Sequence, residues 1–127
     1  MLEWISGREA SNTIVQKLLA EAEQGSTQLL MSAINVGEVY YCLQKRASQS
    51  LAESWRASSP TLPATIEVPS AEEIWDAAAL KGRYRISYAG AFAAALAQKY
   101  NCPLVTGDPE FRAVDHLQLE WISRQRH

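Results

Sequence analysis

Leu104-Val-Thr-Gly-Asp-Pro-Glu-Phe111 is a short apolar run that ends in Thr106 and Gly107 and presents Asp108 just ahead of a proline. Read as a buried strand running into a loop, it sets a carboxylate at the C-terminal edge of a sheet. Open α/β folds bind ligands and metals at that edge. The competing reading is a plain Gly-Asp-Pro turn, because Asp and Pro favour turns for local reasons. The rest of the chain shifts the balance toward the first.

Upstream, Ile14, Val15, Leu18, Leu19 and Ala22 form a helical stripe over Ser11 to Gln24, and Gly25 is a natural stop. Leu29 to Ala33 reads as a buried strand. A second helix is expected from Asn35, carrying Val36, Val39, Tyr40 and Leu43 inward, and a further one over Ser48 to Ala57. Ser58 to Pro63 holds two prolines and serves as a linker, followed by a strand at Thr65 to Val68. Ser70-Ala-Glu-Glu73 is a capping box that opens the next helix. Ser87 caps an alanine-rich helix over Tyr88 to Tyr100, which must pack closely on its neighbours. Pro103 to Thr106 and Leu117 to Ile122 complete the strands. Helices that alternate with short apolar strands imply a parallel sheet with helices on both faces.

The 127 residues suit one domain, 1–127, and nearly half of them are apolar. No apolar run approaches the roughly 20 residues that span a bilayer, and the N-terminus does not read as a signal peptide. Cys42 and Cys102 lack metal-ligand spacing and are expected to be buried, reduced thiols in a cytoplasmic protein. A formal net charge of −2 makes the whole chain no magnet for nucleic acid, so an RNA-binding surface must be local or depend on a cation.

In a parallel sheet, helix starts that follow strands collect along one edge, so Asn35 to Glu38, Ser87 to Gly90 and Thr106 to Asp108 are expected to converge. Glu38 and Asp108 would then be neighbouring carboxylates, a pairing that repels unless a cation or proton intervenes. Carboxylates with water oxygens suit Mg²⁺ or Mn²⁺. Asn35-Val-Gly-Glu38 also reads as a capping box, which would account for Glu38 without any ligand. His116 and His127 stand alone. Lys81, Arg83 and Arg85 form a basic cluster that reads equally as a solvated helix end or as a phosphate-contacting rim.

Three fragments together resemble the PIN-domain family, and in detail the VapC-type toxins of bacterial toxin–antitoxin pairs. They are Met31-Ser-Ala-Ile-Asn-Val-Gly-Glu-Val-Tyr-Tyr41, Ile86-Ser-Tyr-Ala-Gly-Ala-Phe-Ala-Ala-Ala-Leu96 and Pro103-Leu-Val-Thr-Gly-Asp-Pro-Glu-Phe111. The resemblance implies an α/β/α sandwich with a mainly parallel sheet, in which acidic residues hold Mg²⁺ or Mn²⁺ and the ion activates water to cut RNA. It makes Glu38 and Asp108 the catalytic, metal-holding carboxylates, with Asn35 and Thr106 in support. It also implies an RNA substrate, a VapB-like antitoxin, self-association into a homodimer and no membrane partner. The stripe of Val36, Val39, Tyr40 and Leu43 is a candidate contact surface for such a dimer, and equally a core stripe.

Two family positions are unmatched. The family reads Ser-Tyr-Ala-Asp-Ala-Phe where this chain has Ser87-Tyr-Ala-Gly-Ala-Phe92, so Gly90 stands where a metal-facing carboxylate is expected. The family's central first strand, which ends in Asp, has no counterpart, because Met1-Leu-Glu-Trp-Ile5 resembles the start of the family's first helix. Metal affinity is therefore expected to be weak and the nuclease impaired. The alternative is a non-catalytic binding module, a toxin remnant that binds an antitoxin or itself. Gly90 also weakens a helix by roughly 1 kcal/mol relative to Ala. An aspartate introduced there is expected to be tolerated, since the helix dipole favours an acid near the N-terminus.

Overall fold

The computed structural model describes residues 20–106 and 108–121. Residues 20–23 are helical, and the chain turns at Gly25 with φ of 82°. That left-handed conformation suits glycine and is why the helix stops there. The expected start of this helix at Ser11, and the segment Met1 to Ile5, lie outside the described residues.

Strand β1 (Leu30–Ser32) leads straight into helix α1 (Ala33–Arg46), and α2 (Gln49–Ser58) follows after a short break. A 3₁₀ turn at Ser59–Thr61 uses the first of the linker prolines, and β2 (Thr65–Glu67) comes next. Then come α3 (Ala71–Arg83), α4 (Tyr88–Lys99), β3 (Leu104–Thr106), a second 3₁₀ turn at Pro109–Ala113, and β4 (Leu119–Trp121). Three helices begin where local chemistry placed them. Ser48, Ser70 and Ser87 each accept a backbone N–H of the first turn, and Ser70 with Glu73 completes the reciprocal capping box.

The start of α1 differs from expectation. Ser32, the last residue of β1, is the cap, its hydroxyl accepting from the Ile34 N–H at 3.2 Å. Asn35 and Glu38 therefore lie inside the helix and form no capping box. A serine at the end of a strand captures the first free N–H before Asn35 is reached, and Asn35 is left for another task.

Both ladders are parallel. Leu30, Met31 and Ser32 pair with Thr65, Ile66 and Glu67, and Leu104, Val105 and Thr106 pair with Leu119, Glu120 and Trp121. The two pairs are separate two-stranded sheets, and no described strand joins β1 to β3. A cavity of about 330 Å³ lies between them, bounded by Leu29, Leu30, Leu104, Val105 and by Leu96 and Ala97 of α4. The expectation of a mainly parallel sheet without its central strand thus takes the form of a divided sheet.

Two apolar clusters fill the two faces. One gathers Ala77, Leu80, Phe92, Leu104, Phe111 and Val114 among α3, α4 and β3. The other gathers Met31, Val39, Leu43, Ala52 and Val105, with Val36, Tyr40 and Trp55 packed against it. Successive strand residues point to opposite faces, so Leu104 enters one cluster and Val105 the other. Val36, Val39, Tyr40 and Leu43 are thus core packing against α2, and they do not form the free contact surface considered for a dimer. Helix α4 is buried at every residue from Gly90 to Ala97, which explains its run of alanines. Cys42 and Cys102 form no disulfide and are half-buried where full burial was expected. No described helix is long and apolar enough to cross a membrane.

Candidate functional site

Asn35 is fully buried and its Nδ2 donates to the carbonyl of Ala89 at 2.9 Å, tying α1 to the first turn of α4. That bond fixes the amide, so the other side-chain atom, Oδ1, is turned elsewhere, and it is buried with no hydrogen-bond partner. Glu38 lies one turn further along the same face of α1. Its carboxyl is half-buried, and Oε1 likewise has no partner. Leaving a buried acceptor unsatisfied costs about 1–3 kcal/mol, a cost that a proton on Glu38 or a positively charged ligand would offset.

The opposing wall is the loop after β3. Thr106 is fully buried, and its hydroxyl accepts the Asp108 N–H at 3.0 Å. Asp108 caps the 3₁₀ turn, with Oδ1 accepting the Glu110 N–H at 3.0 Å. The turn reading of Gly-Asp-Pro is therefore correct as far as it goes, since one carboxylate oxygen serves the backbone.

Glu110 is the residue that sequence reasoning missed. Its carboxylate accepts from the Ser87 N–H at 3.2 Å and from the Ser87 hydroxyl at 3.3 Å. The same hydroxyl accepts the Gly90 N–H at 2.9 Å. A β-carbon built on Gly90 would stand 2.7 Å from Glu110 Oε2, 2.8 Å from Ser87 Oγ and 2.9 Å from Phe111 Cζ. Side-chain space at position 90 is thus occupied by the Glu110 carboxylate. No motif spacing announces this, because the 20-odd residues between Ser87 and Glu110 are folded back by tertiary contacts alone.

Burial pushes the Glu38 carboxyl above its ordinary value of 4.5; the Asn35 amide pulls it back, and the charges of Glu110 and Asp108 add to the rise. Arg46 opposes it weakly. Glu110 is also raised, first by burial and then by Asp108, with the Ser87 hydrogen bonds and Lys81 acting against. Glu38 thus feels the charges of both Asp108 and Glu110. Lys81 of the basic cluster lies on the rim near Glu110, whereas the Arg83 guanidinium stacks over the Tyr84 ring at 5.5 Å. Among the described residues, no three Asp, Glu, His or Cys side chains are gathered tightly enough to hold a metal. His116 is exposed in a turn with φ of 60° and takes no part, and His127 lies outside the described residues.

These shifts have a sign. Between a carboxyl's ordinary value and its raised folded value, the native state binds more protons than the unfolded chain, so stability falls as pH rises. For Glu38 and Glu110 the metal-free melting temperature is expected to climb as the solution is acidified from neutrality toward the ordinary carboxylate range. Glu73 is lowered, chiefly by its hydrogen bond from Lys99, and its contribution is lost only below that range. Glu38→Gln is expected to raise the neutral-pH midpoint and flatten the slope. A scanning-calorimetry series showing the same slope in both proteins would contradict the assignment.

The oxygen atoms present fit a hard divalent cation in kind: Glu38 Oε1, Asn35 Oδ1 and the second carboxylate oxygen of Asp108 are all hard acceptors. No curated protein sequence matches the chain significantly. Two solved structures are similar to it. One is VapBC2 from Rickettsia felis, crystallised with a DNA fragment from its promoter, at 20% identity, TM-score 0.65, covering 85% of this chain and 83% of that one. The other is VapC20 of Mycobacterium tuberculosis, a toxin that cleaves the sarcin–ricin loop, at 17% identity and TM-score 0.63, covering 82% of this chain and 84% of that one. At such identities they share the fold. The family model described as PIN domain matches residues 1–117, so the chain belongs to the PIN domain family.

Proposed function

We propose that this chain is a VapC-like endoribonuclease, dependent on Mg²⁺ or Mn²⁺ and weakened by the glycine at position 90. The observation that carries the reading is the pair of buried, unpartnered oxygens on Glu38 and Asn35, with Asp108 near enough for its charge to raise the Glu38 carboxyl. Glu38 and Asp108 would hold the ion, with the Asn35 carbonyl oxygen beside them and Thr106 fixing the Asp108 backbone. When bound, such an ion polarises a phosphodiester and lowers the pKa of its water. The chain's own residues hold the acceptors in place: Ala89 anchors the Asn35 amide, and the Thr106 hydroxyl and the Glu110 N–H anchor Asp108 at its backbone and at Oδ1. Lys81 and Arg46 set positive charge around the acidic cleft, where a phosphate chain would approach. An antitoxin of VapB type, with a basic residue reaching the same acids, is the partner this cleft suits, and self-association is the family's further implication.

The second reading, a binding module without catalysis, is favoured by Gly90 and by the looseness of the acidic groups. A labelled single-stranded RNA incubated with the chain and Mn²⁺ tests the two. EDTA-sensitive cleavage that disappears in Asp108→Asn supports the nuclease. Asparagine keeps the cap of the 3₁₀ turn and removes only the charge, so loss of activity would not reflect loss of the turn. Cleavage indifferent to EDTA and to Asp108→Asn overturns the nuclease, and no cleavage at any Mn²⁺ concentration supports the binding module.

A further inference from the structure

We propose that Tyr41 and Lys45 form a track for single-stranded RNA beside the acidic cleft, with a base stacked on the Tyr41 ring and the adjoining phosphate held by Lys45. The inference rests on the reading of the cleft as a nuclease site and names residues that would position its substrate. Ile34, Glu38, Tyr41 and Lys45 stand at i, i+4, i+7 and i+11 of α1, so they share one face of the helix. That face is not the packed one. Asn35, Val39 and Leu43 carry the burial of α1, whereas Ile34 is 40% and Tyr41 47% exposed. Burial and then the charge of Glu38 push the Tyr41 phenol above its ordinary value of 10.0, so the ring lies within reach of the acid. The Lys45 ammonium lies over the same ring, 5.7 Å from its centroid.

Fold stability alone does not account for this stripe. The basic last turn of α1, Lys45 and Arg46, answers the helix dipole without an aromatic ring one turn before it. Charge decides what the stripe fits. Glu110 and Asp108 crowd their charge on Glu38, so a phosphate chain is repelled there unless cations receive it on the approach. Lys45 and Arg46 stand at the end of the stripe, and the Arg46 charge reaches both Glu38 and Tyr41. A basic peptide segment would meet those two cations with like charge. From Glu38 to Lys45 the helix rises about 10 Å, a distance that a stacked base and its flanking phosphates can span. Surfaces that take single strands combine a cationic path with aromatic faces, and the ring accepts any base because every base has a flat face. A duplex keeps its bases stacked on one another and leaves the ring nothing to hold, so the track selects single strands.

A single-stranded RNA carrying 2-aminopurine, whose fluorescence falls when the base stacks, tests the track directly. It is titrated with the intact chain in EDTA, which holds metal-dependent cleavage off. Tyr41→Leu is expected to abolish the fluorescence change and weaken binding at least about fivefold, while Tyr41→Phe keeps both near the unmodified values. Lys45→Gln is expected to weaken binding and lower the salt slope by about 0.7. The ring is half exposed, so the Tyr41→Leu melting temperature should stay within a few degrees of the unmodified chain. In Mn²⁺, Tyr41→Leu should raise KM for RNA cleavage and leave kcat in place. Suppose Tyr41→Leu keeps full affinity and the fluorescence change, while EDTA-sensitive cleavage by the intact chain is still lost in Asp108→Asn. The track is then overturned and the nuclease reading stands. Equal losses in Tyr41→Leu and Tyr41→Phe, or equal binding of duplex RNA, also overturn the track. If the unmodified chain neither binds nor cleaves RNA, both fall together.

Discussion

Replacing Phe111 by alanine is expected to cost about 3–5 kcal/mol, the range for emptying a fully buried aromatic site. Among the described residues Phe111 is the largest side chain with no exposure at all, and it lies in the cluster with Ile86, Ala91, Phe92 and Leu104. Alanine in its place leaves a void that α4 cannot close, because α4 is already packed along its length through Gly90 to Ala97. Domains of this size hold about 5–15 kcal/mol in total, so the loss is a large share of the whole. A midpoint lower by about 12–20 °C in a circular-dichroism melt is the expected readout. A drop of only a few degrees would mean that the core repacks around the gap. The effect reaches the site as well, since Phe111 follows Glu110 on the same 3₁₀ turn and forms one wall of the space at Gly90.

Gly90→Asp is expected to destabilise, contrary to what helix rules suggest. Propensity favours every residue but proline over glycine by up to about 1 kcal/mol, and the dipole favours an acid so near the N-terminus. Both are outweighed by contact. The new β-carbon would press on Glu110, Ser87 and Phe111 at 2.7–2.9 Å. Glu110 can swing away, but the Phe111 ring is locked in the core. Overpacking of this kind costs about 1–3 kcal/mol or more, and two carboxylates would then share one seat. The substitution that seems to restore the family pattern should therefore lower the midpoint by about 4–12 °C. Combining it with Glu110→Ala should return part of the loss. A Gly90→Asp protein that melts at or above the unmodified chain would show that the seat is soft.

What could be read from the sequence was whatever is decided within a few residues. The caps at Ser48, Ser70 and Ser87, the stop at Gly25 and the strands at Thr65 and Leu104 follow from local chemistry, and the structure places them there. The start of α1 was misread because Asn35-Val-Gly-Glu38 has the spacing of a capping box, while the actual cap, Ser32, was counted inside the strand. Asn35 and Glu38 lie one turn apart inside that helix. Their freedom from capping is what leaves them available. Glu110 was illegible, since its meaning depends on Ser87 and Gly90 being brought against it by the packing of α4 on β3 and the 3₁₀ turn. No local rule reports that an empty position on one element is filled from another.

The divided sheet has a consequence for how the molecule comes apart. Helices α1 and α2 with β1 and β2 share one cluster, and α3 and α4 with β3 and β4 share another. Where an ordinary α/β domain has continuous ladders from edge to edge, the described strands here leave a seam, crossed by Val105, the Asn35–Ala89 bond and the contact of α4 with α1 and β1. Each half is then expected to open with its own free energy. Glu38 belongs to one unit and Asp108 to the other. An ion gripped by both would act as a rivet across the seam, so that occupancy of the site and mechanical unity of the fold become the same event.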